Sequence, residues 1–128
     1  MTKAPNAKPY DLEERTYQFA RRCRQFLKKL PRTVANVEDG RQLIRSSGSV
    51  AANYIEANES VSRKDFALRI KIARKEAKES RLWLRLCEAC DDGSQQEQQL
   101  LLAEALELCK IFGSILEKVK SQDSLVRI

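Results

Sequence analysis

Residues 62–87 read SRKDFALRIKIARKEAKESRLWLRLC. Within this stretch Phe66, Ile70, Ala73, Ala77, Ser80, Leu84 and Cys87 recur at steps of 4, 3, 4, 3, 4 and 3, which places all seven on one face of an α-helix. Ser62, with Asp65 three positions on, is an N-cap followed by an acidic first turn, so the helix has a marked start. Asp91, Asp92 and Gly93 mark the stop that follows it.

The same rhythm extends on both sides. Upstream, Leu43, Ser47, Val50, Tyr54, Ala57 and Val61 form a second helical stripe. Its centre is made of small residues, Ser46, Ser47, Gly48, Ser49, Ala51 and Ala52, and Gly48 alone costs about 1 kcal/mol of helix propensity relative to Ala. That weakness is expected to be offset by close approach of a neighbouring helix. Before a loop of about eight residues containing Asp39 and Gly40, a first helix is expected from Asp11, which with Glu14 reads as a capping box. It carries Leu12, Thr16, Phe19, Cys23, Phe26, Leu27 and Leu30 at helical spacing, and Pro31 ends it. Downstream, Ser94 and Glu97 read as a capping box for a fourth helix with two apolar seams. One seam is Leu101, Ala105, Leu108, Phe112, Ile115 and Val119; the other is Leu102, Leu106, Cys109, Gly113 and Leu116.

Composition agrees with this reading. Of 128 residues, 42% are hydrophobic and 33% charged, enough apolar material for one soluble core and too much charge for a membrane protein. Four Gly and three Pro leave little punctuation for a many-turned β architecture. The expected fold is all-α, an antiparallel up-down-up-down four-helix bundle over residues 11–122, because short connections make successive helices antiparallel neighbours. Residues 1–10, with two Lys, two Pro and no apolar run, are expected to be a flexible arm, and residues 123–128 a C-terminal tail. The longest strictly apolar runs, such as Leu100 to Ala103, are far short of the roughly 20 residues that span a bilayer, so a cytoplasmic protein without membrane partners is expected.

The chain has no His, which removes His-based triads, imidazole bases and Glu-x-x-His di-metal sites. An enzyme would need carboxylates such as Glu13, Glu14, Glu56, Glu76 and Glu79 to converge on a metal. No catalytic residues, metal or cofactor are expected. The cysteines, Cys23, Cys87, Cys90 and Cys109, include a Cys87-x-x-Cys90 pair that zinc or redox chemistry could use. Against that, Cys23, Cys87 and Cys109 fall in apolar stripes, where a free thiol serves as a small hydrophobe.

Twenty-four Lys and Arg against 18 Asp and Glu give a net charge of +6. The third helix concentrates that excess: Lys71, Arg74, Lys78, Arg81 and Arg85 each lie one position past a core residue, with Lys64 one repeat earlier, so they form one cationic ridge. One reading is a solvated face whose cations pair with Glu four residues away, for instance Lys75 with Glu79. The other is a ridge that binds phosphates by point charge and counterion release. Arg21, Arg22, Arg24, Lys28, Lys29 and Arg32 make a second basic cluster on the first helix, and no exposed aromatics accompany either one to read bases. On the opposite flank of the third helix Ile72, Trp83 and Leu86, with Leu82 close by, are too apolar for a solvated surface. They are expected to meet a second copy of the chain, unless the fourth helix of the same chain wraps round to cover Trp83.

At Arg45-Ser-Ser-Gly-Ser-Val-Ala-Ala-Asn-Tyr-Ile-Glu-Ala57, then Ser62-Arg-Lys-Asp-Phe66 and Lys75-Glu-Ala-Lys-Glu-Ser-Arg-Leu-Trp-Leu84, the chain resembles the bacterial four-helix-bundle proteins encoded in intervening sequences of 23S ribosomal RNA genes. The likeness runs from about Tyr10 to Lys120, and Ala51 and Ala57 stand where relatives often have Gly. The resemblance implies an antiparallel bundle assembled into a ring-like homo-oligomer, typically a pentamer. It also implies kinship in fold with accessory proteins of diversity-generating retroelements, which bind nucleic acid and a reverse transcriptase through a basic surface. Asn53 and Glu56 match the family's polar motif and, three apart, share a helix face; the expected role is a lock to a neighbouring helix, for instance to an Arg of the third. The function expected on these grounds is non-enzymatic association with nucleic acid, structured RNA foremost, through the third-helix cations. The alternative is a protein adaptor or scaffold with no nucleic-acid role.

Overall fold

The computed structural model describes residues 11–127, with side chains over residues 11–122. The expected arm at residues 1–10 lies outside the described residues. Among the described residues the fold is built of four α-helices: α1 (Leu12–Lys28), α2 (Val34–Asn58), α3 (Arg63–Leu86) and α4 (Asp92–Arg127). Among the described residues there is no strand.

Each helix begins where a side chain can take an orphan backbone N–H. Asp11 accepts the Glu14 N–H at 3.3 Å to start α1, and Ser62 accepts the Asp65 N–H at 3.0 Å to start α3. Two starts differ from the sequence expectation. The loop expected through Asp39 and Gly40 is absent, because Thr33, just past Pro31, accepts the Asn36 N–H at 3.1 Å and α2 runs on from Val34. Gly40 is therefore a packing residue: a Cβ there would come within 3.2 Å of the Leu27 side chain, so its absence lets α1 and α2 close on each other. At α4 the cap is Asp91, not Ser94, since the Asp91 carboxylate accepts both the N–H (2.7 Å) and the hydroxyl (3.0 Å) of Ser94. These bonds hold the Asp91 carboxyl below its ordinary pKa. The last helix continues to Arg127, beyond the boundary at residue 122 expected from the sequence.

Most of the periodic residues form the core, but Val61, past the end of α2, is 98% exposed and Leu106 of the second α4 seam is 40% exposed. Phe19, Cys23, Leu43, Val50, Ile70, Leu84, Leu101, Leu108 and Phe112 are almost wholly buried. Polar residues inside are satisfied locally: the Thr16 hydroxyl donates to Leu12 O at 2.6 Å. Ser46 and Ser80, both 0% exposed, share a hydrogen bond of 2.8 Å, so the small residues of α2 bring it against α3 at hydroxyl distance.

Side chains bridge every seam at two levels. Between α1 and α2, Asn58 Nδ2 donates to Glu13 at 3.0 Å and Arg24 to Ile44 O at 3.2 Å. Between α2 and α3, Arg69 donates to Asn53 Oδ1 at 3.3 Å, while Asn36 Nδ2 donates to Glu88 O at 3.0 Å, just past the end of α3. Between α3 and α4, Gln98 donates to Leu84 O at 2.8 Å and Cys109 Sγ lies 3.9 Å from Arg74 O. Between α1 and α4, Arg15 grips Glu104 with two bonds of 2.7 and 2.9 Å, and Arg22 reaches Glu97 at 3.1 Å. Asn36, buried, also accepts the Glu88 N–H at 2.8 Å and donates to Pro31 O, tying the α1–α2 and α3–α4 connections together.

Candidate nucleic-acid interface

The periodicity that buries Ile70, Ala73, Ala77 and Leu84 turns the next position of each repeat outward along one edge of α3. Lys64, Lys71, Arg74, Lys78 and Arg85 are exposed there, and Arg81 is half-buried. Among the described residues none of these six side chains has a carboxylate partner. Other cations of the chain do: Arg15, Arg22 and Arg45 are all paired. The contrast has a cause in the helix itself. The two interior carboxylates of α3, Glu76 and Glu79, lie on the flank toward α2, where Arg45 donates to both (3.2 Å to Glu76). Glu79 also accepts the Trp83 indole N–H at 3.4 Å. The Lys75–Glu79 pair that would make the ridge an ordinary solvated face is not formed.

Cations converge further in a cleft between α3 and α4. Lys71, Arg74, Lys75, Lys78 and Leu116 line it, with a volume of about 330 Å³. Lys75 and Leu116 were not among the site residues expected from sequence. Lys75 had an apparent intrahelical partner, and Leu116 belongs to the second seam of α4, whose neighbour cannot be read from one helix. Cys109 lies close by. Burial raises its thiol's pKa, while the charges of Lys78, Arg74 and Arg81 act to lower it. The basic cluster of α1 is partly spent on structure: Arg22 goes to Glu97, and Arg24 to Ala20 O, Ile44 O and Ser47. Arg21, Lys28, Lys29 and Arg32 remain exposed.

The residues expected at a subunit contact divide. Leu82 and Leu86 are 44% and 47% exposed, whereas Ile72 is half-buried and Trp83 packs against the chain's own core. Leu68, 52% exposed, lies on the same outer face of α3 as Leu82 and Leu86, with the charged Lys75 and Glu79 between them. Of the motif pair, Asn53 bonds Arg69 of α3 and, through Nδ2, Ser49 O and Oγ at 2.9 and 3.0 Å. Glu56 is exposed and outside that network.

Cys23, Cys87 and Cys109 are buried free thiols and Cys90 is exposed. Burial pushes the Cys23 thiol up to about 12 and that of Cys87 to about 11. Among the described residues no group of three or more His, Cys, Asp or Glu is placed to hold a metal ion, and no helix is long and apolar enough to cross a membrane.

The family model for the 23S rRNA-intervening sequence protein matches residues 9–114, most of the chain. The chain belongs to that family. A crystal structure of a protein of unknown function from the S23 ribosomal protein family of Bacteroides thetaiotaomicron is similar to it, with 28% identity and a TM-score of 0.68 over 81% of this chain and 96% of that one. No curated protein matches the chain. Membership spans all of α1, α2 and α3, and so includes the whole ridge of this intervening-sequence protein.

Proposed function

We propose that this intervening-sequence protein is a non-enzymatic, ring-forming homo-oligomer of cytoplasmic location. In this reading it associates with structured RNA through the α3 ridge, with Lys64, Lys71, Arg74, Lys78, Arg81 and Arg85 on phosphates. The observation that carries the reading is selective neutralisation: Glu76 and Glu79 of α3 are engaged on one flank while, among the described residues, six cations on the other have no carboxylate partner. Unpaired cations on a rigid helix are what a polyanion recruits, since each phosphate contact releases condensed counterions. The 14 residue steps from Lys71 to Arg85 span about 21 Å at the helical rise, enough to follow several phosphates.

An antiparallel, up-down-up-down course is part of this reading. Its support is the order of the bridges: from Glu13 to Arg24 the partners in α2 fall from Asn58 to Ile44. They fall likewise from Glu104 to Glu97 between Arg15 and Arg22, and from Leu84 to Arg74 between Gln98 and Cys109. Self-association is supported by the exposed leucines at 68, 82 and 86. A pentamer would set five copies of a +6 chain around one axis, so weak contacts on each would act together on a long polyanion. Leu82→Asp with Leu86→Asp should lower the native mass to that of a monomer.

RNA binding measured against salt tests the ridge. Six phosphate contacts give a slope of log K against log salt of about −4 on single strands and about −5 on a duplex, per chain engaged. Arg74→Glu, Lys78→Glu and Arg85→Glu, all at exposed positions, should at least halve it. Absence of RNA binding at about 50 mM salt, or a slope unmoved by the three substitutions, overturns the proposal. A protein partner, a reverse transcriptase included, that stays bound after nuclease digestion while RNA binding is absent would support the adaptor reading instead.

A further inference from the structure

The cleft between α3 and α4 differs from the rest of the ridge in kind. Along the ridge the cations are strung out one per turn, suited to a row of singly charged diesters. In the cleft Lys71, Arg74, Lys75 and Lys78 face one concavity of about 330 Å³, and no carboxylate lines it. Cations held together around one space repel each other when it is empty, and a charge in a concave site is screened less than one on a convex surface.

A second observation comes from Arg81. Its Nε is buried and has no hydrogen-bond partner in the chain. Guanidinium N–H groups out of water are almost always satisfied, because an orphaned donor forfeits its hydration with nothing in return. Arg81 lies one turn beyond Lys78 on the same edge of α3. Several cations around a small concavity and a donor lacking an acceptor together describe a site for a compact, multiply charged anion.

Resting on the nucleic-acid reading above, we infer that this cleft binds the terminal phosphomonoester of an RNA strand, with Lys71, Arg74, Lys75 and Lys78 around the phosphate and Arg81 one turn further along the same edge. A terminal monoester carries a charge of about −1.5 to −2 near pH 7 and offers three acceptor oxygens. A backbone diester carries one charge. Leu116, the one apolar side chain of the lining, supplies a surface for the terminal sugar or base, and the volume suits a chain end better than a continuous strand.

The test uses one RNA sequence in three forms, with a 5′-phosphate, a 3′-phosphate, or hydroxyls at both ends, titrated against the full chain by fluorescence anisotropy. One phosphorylated form should bind about tenfold more tightly than the hydroxyl form, and which one identifies the end recognised. The preference should shrink between pH 7.5 and pH 5, as the monoester loses its second charge with a pKa of about 6. Lys75→Ala, at an exposed position outside the six ridge cations, should at least halve the preference while hydroxyl-ended RNA binds with its salt dependence unchanged. Equal affinity for all three forms, or a preference that the Lys75 variant leaves intact, overturns the end-binding inference and leaves the ridge reading standing. Binding of none of the three forms overturns both.

Discussion

The pair Ser46–Ser80 is a fully buried polar contact across the α2–α3 seam, and a double-mutant cycle there tests why that segment of α2 is built of small residues. Both side chains are 0% exposed and their hydroxyls are 2.8 Å apart. Ser46→Ala leaves the Ser80 hydroxyl buried with no other partner, a loss of about 1–3 kcal/mol. Ser80→Ala should cost less, about 1 kcal/mol, because Ser46 Oγ retains a weak contact to Leu43 O at 3.5 Å. Removing both hydroxyls deletes the donor and the acceptor together, which is close to neutral, so the double variant should be more stable than Ser46→Ala alone. Urea unfolding followed by far-UV circular dichroism, at one fixed protein concentration so that any assembly contributes equally, gives the four stabilities. The coupling should be at least about 1 kcal/mol. If the double variant instead loses the plain sum of the two single losses, the hydroxyls do not depend on each other and the account of the close α2–α3 approach is wrong.

Gly113 sits inside α4 with open space where a Cβ would be, so Gly113→Ala should gain up to about 1 kcal/mol of helix propensity and raise the melting temperature by about 3 °C; a lower melting temperature would show that the position is occupied. At neutral pH a thiol reagent should label Cys90 quickly in the folded chain and the other three cysteines only after unfolding, and rapid labelling of two or more would contradict their burial. Cys23 and Cys87 hold their protons to about pH 12 and 11 when folded, against an ordinary value of 9.0, so the unfolded chain binds fewer protons above pH 9. Their contribution to stability is whole below pH 9 and is lost as pH rises toward 11 and 12, with a limiting slope of about 1.4 kcal/mol per pH unit for each thiol; Cys23→Ala with Cys87→Ala should flatten that decline, and an unchanged profile would refute the assignment.

The helical character, most of the inward faces and two of the four starts, at Asp11 and Ser62, follow from residues a few positions apart. Ile70, Ala73, Ala77 and Leu84 declare their common face by spacing alone, and Ser62 and Asp11 cap the turns directly after them. Where two local signals compete, the sequence is weaker. Asp39 and Gly40 read as a turn, yet Gly40 serves the approach of α1 to α2, and Ser94 reads as a cap although Asp91 takes its N–H and hydroxyl together.

The ridge of cations on α3 is likewise legible from spacing, but whether those charges are neutralised is not. That depends on Arg45, about thirty residues before Glu76 and Glu79, reaching across to claim both carboxylates, and on Leu116 of α4 closing one side of the cleft beside Lys75. Periodicity is a property of one helix and is written in its own residues. The pairing of charges across a seam depends on the register and rotation of two helices, which are settled only when the whole core packs at once.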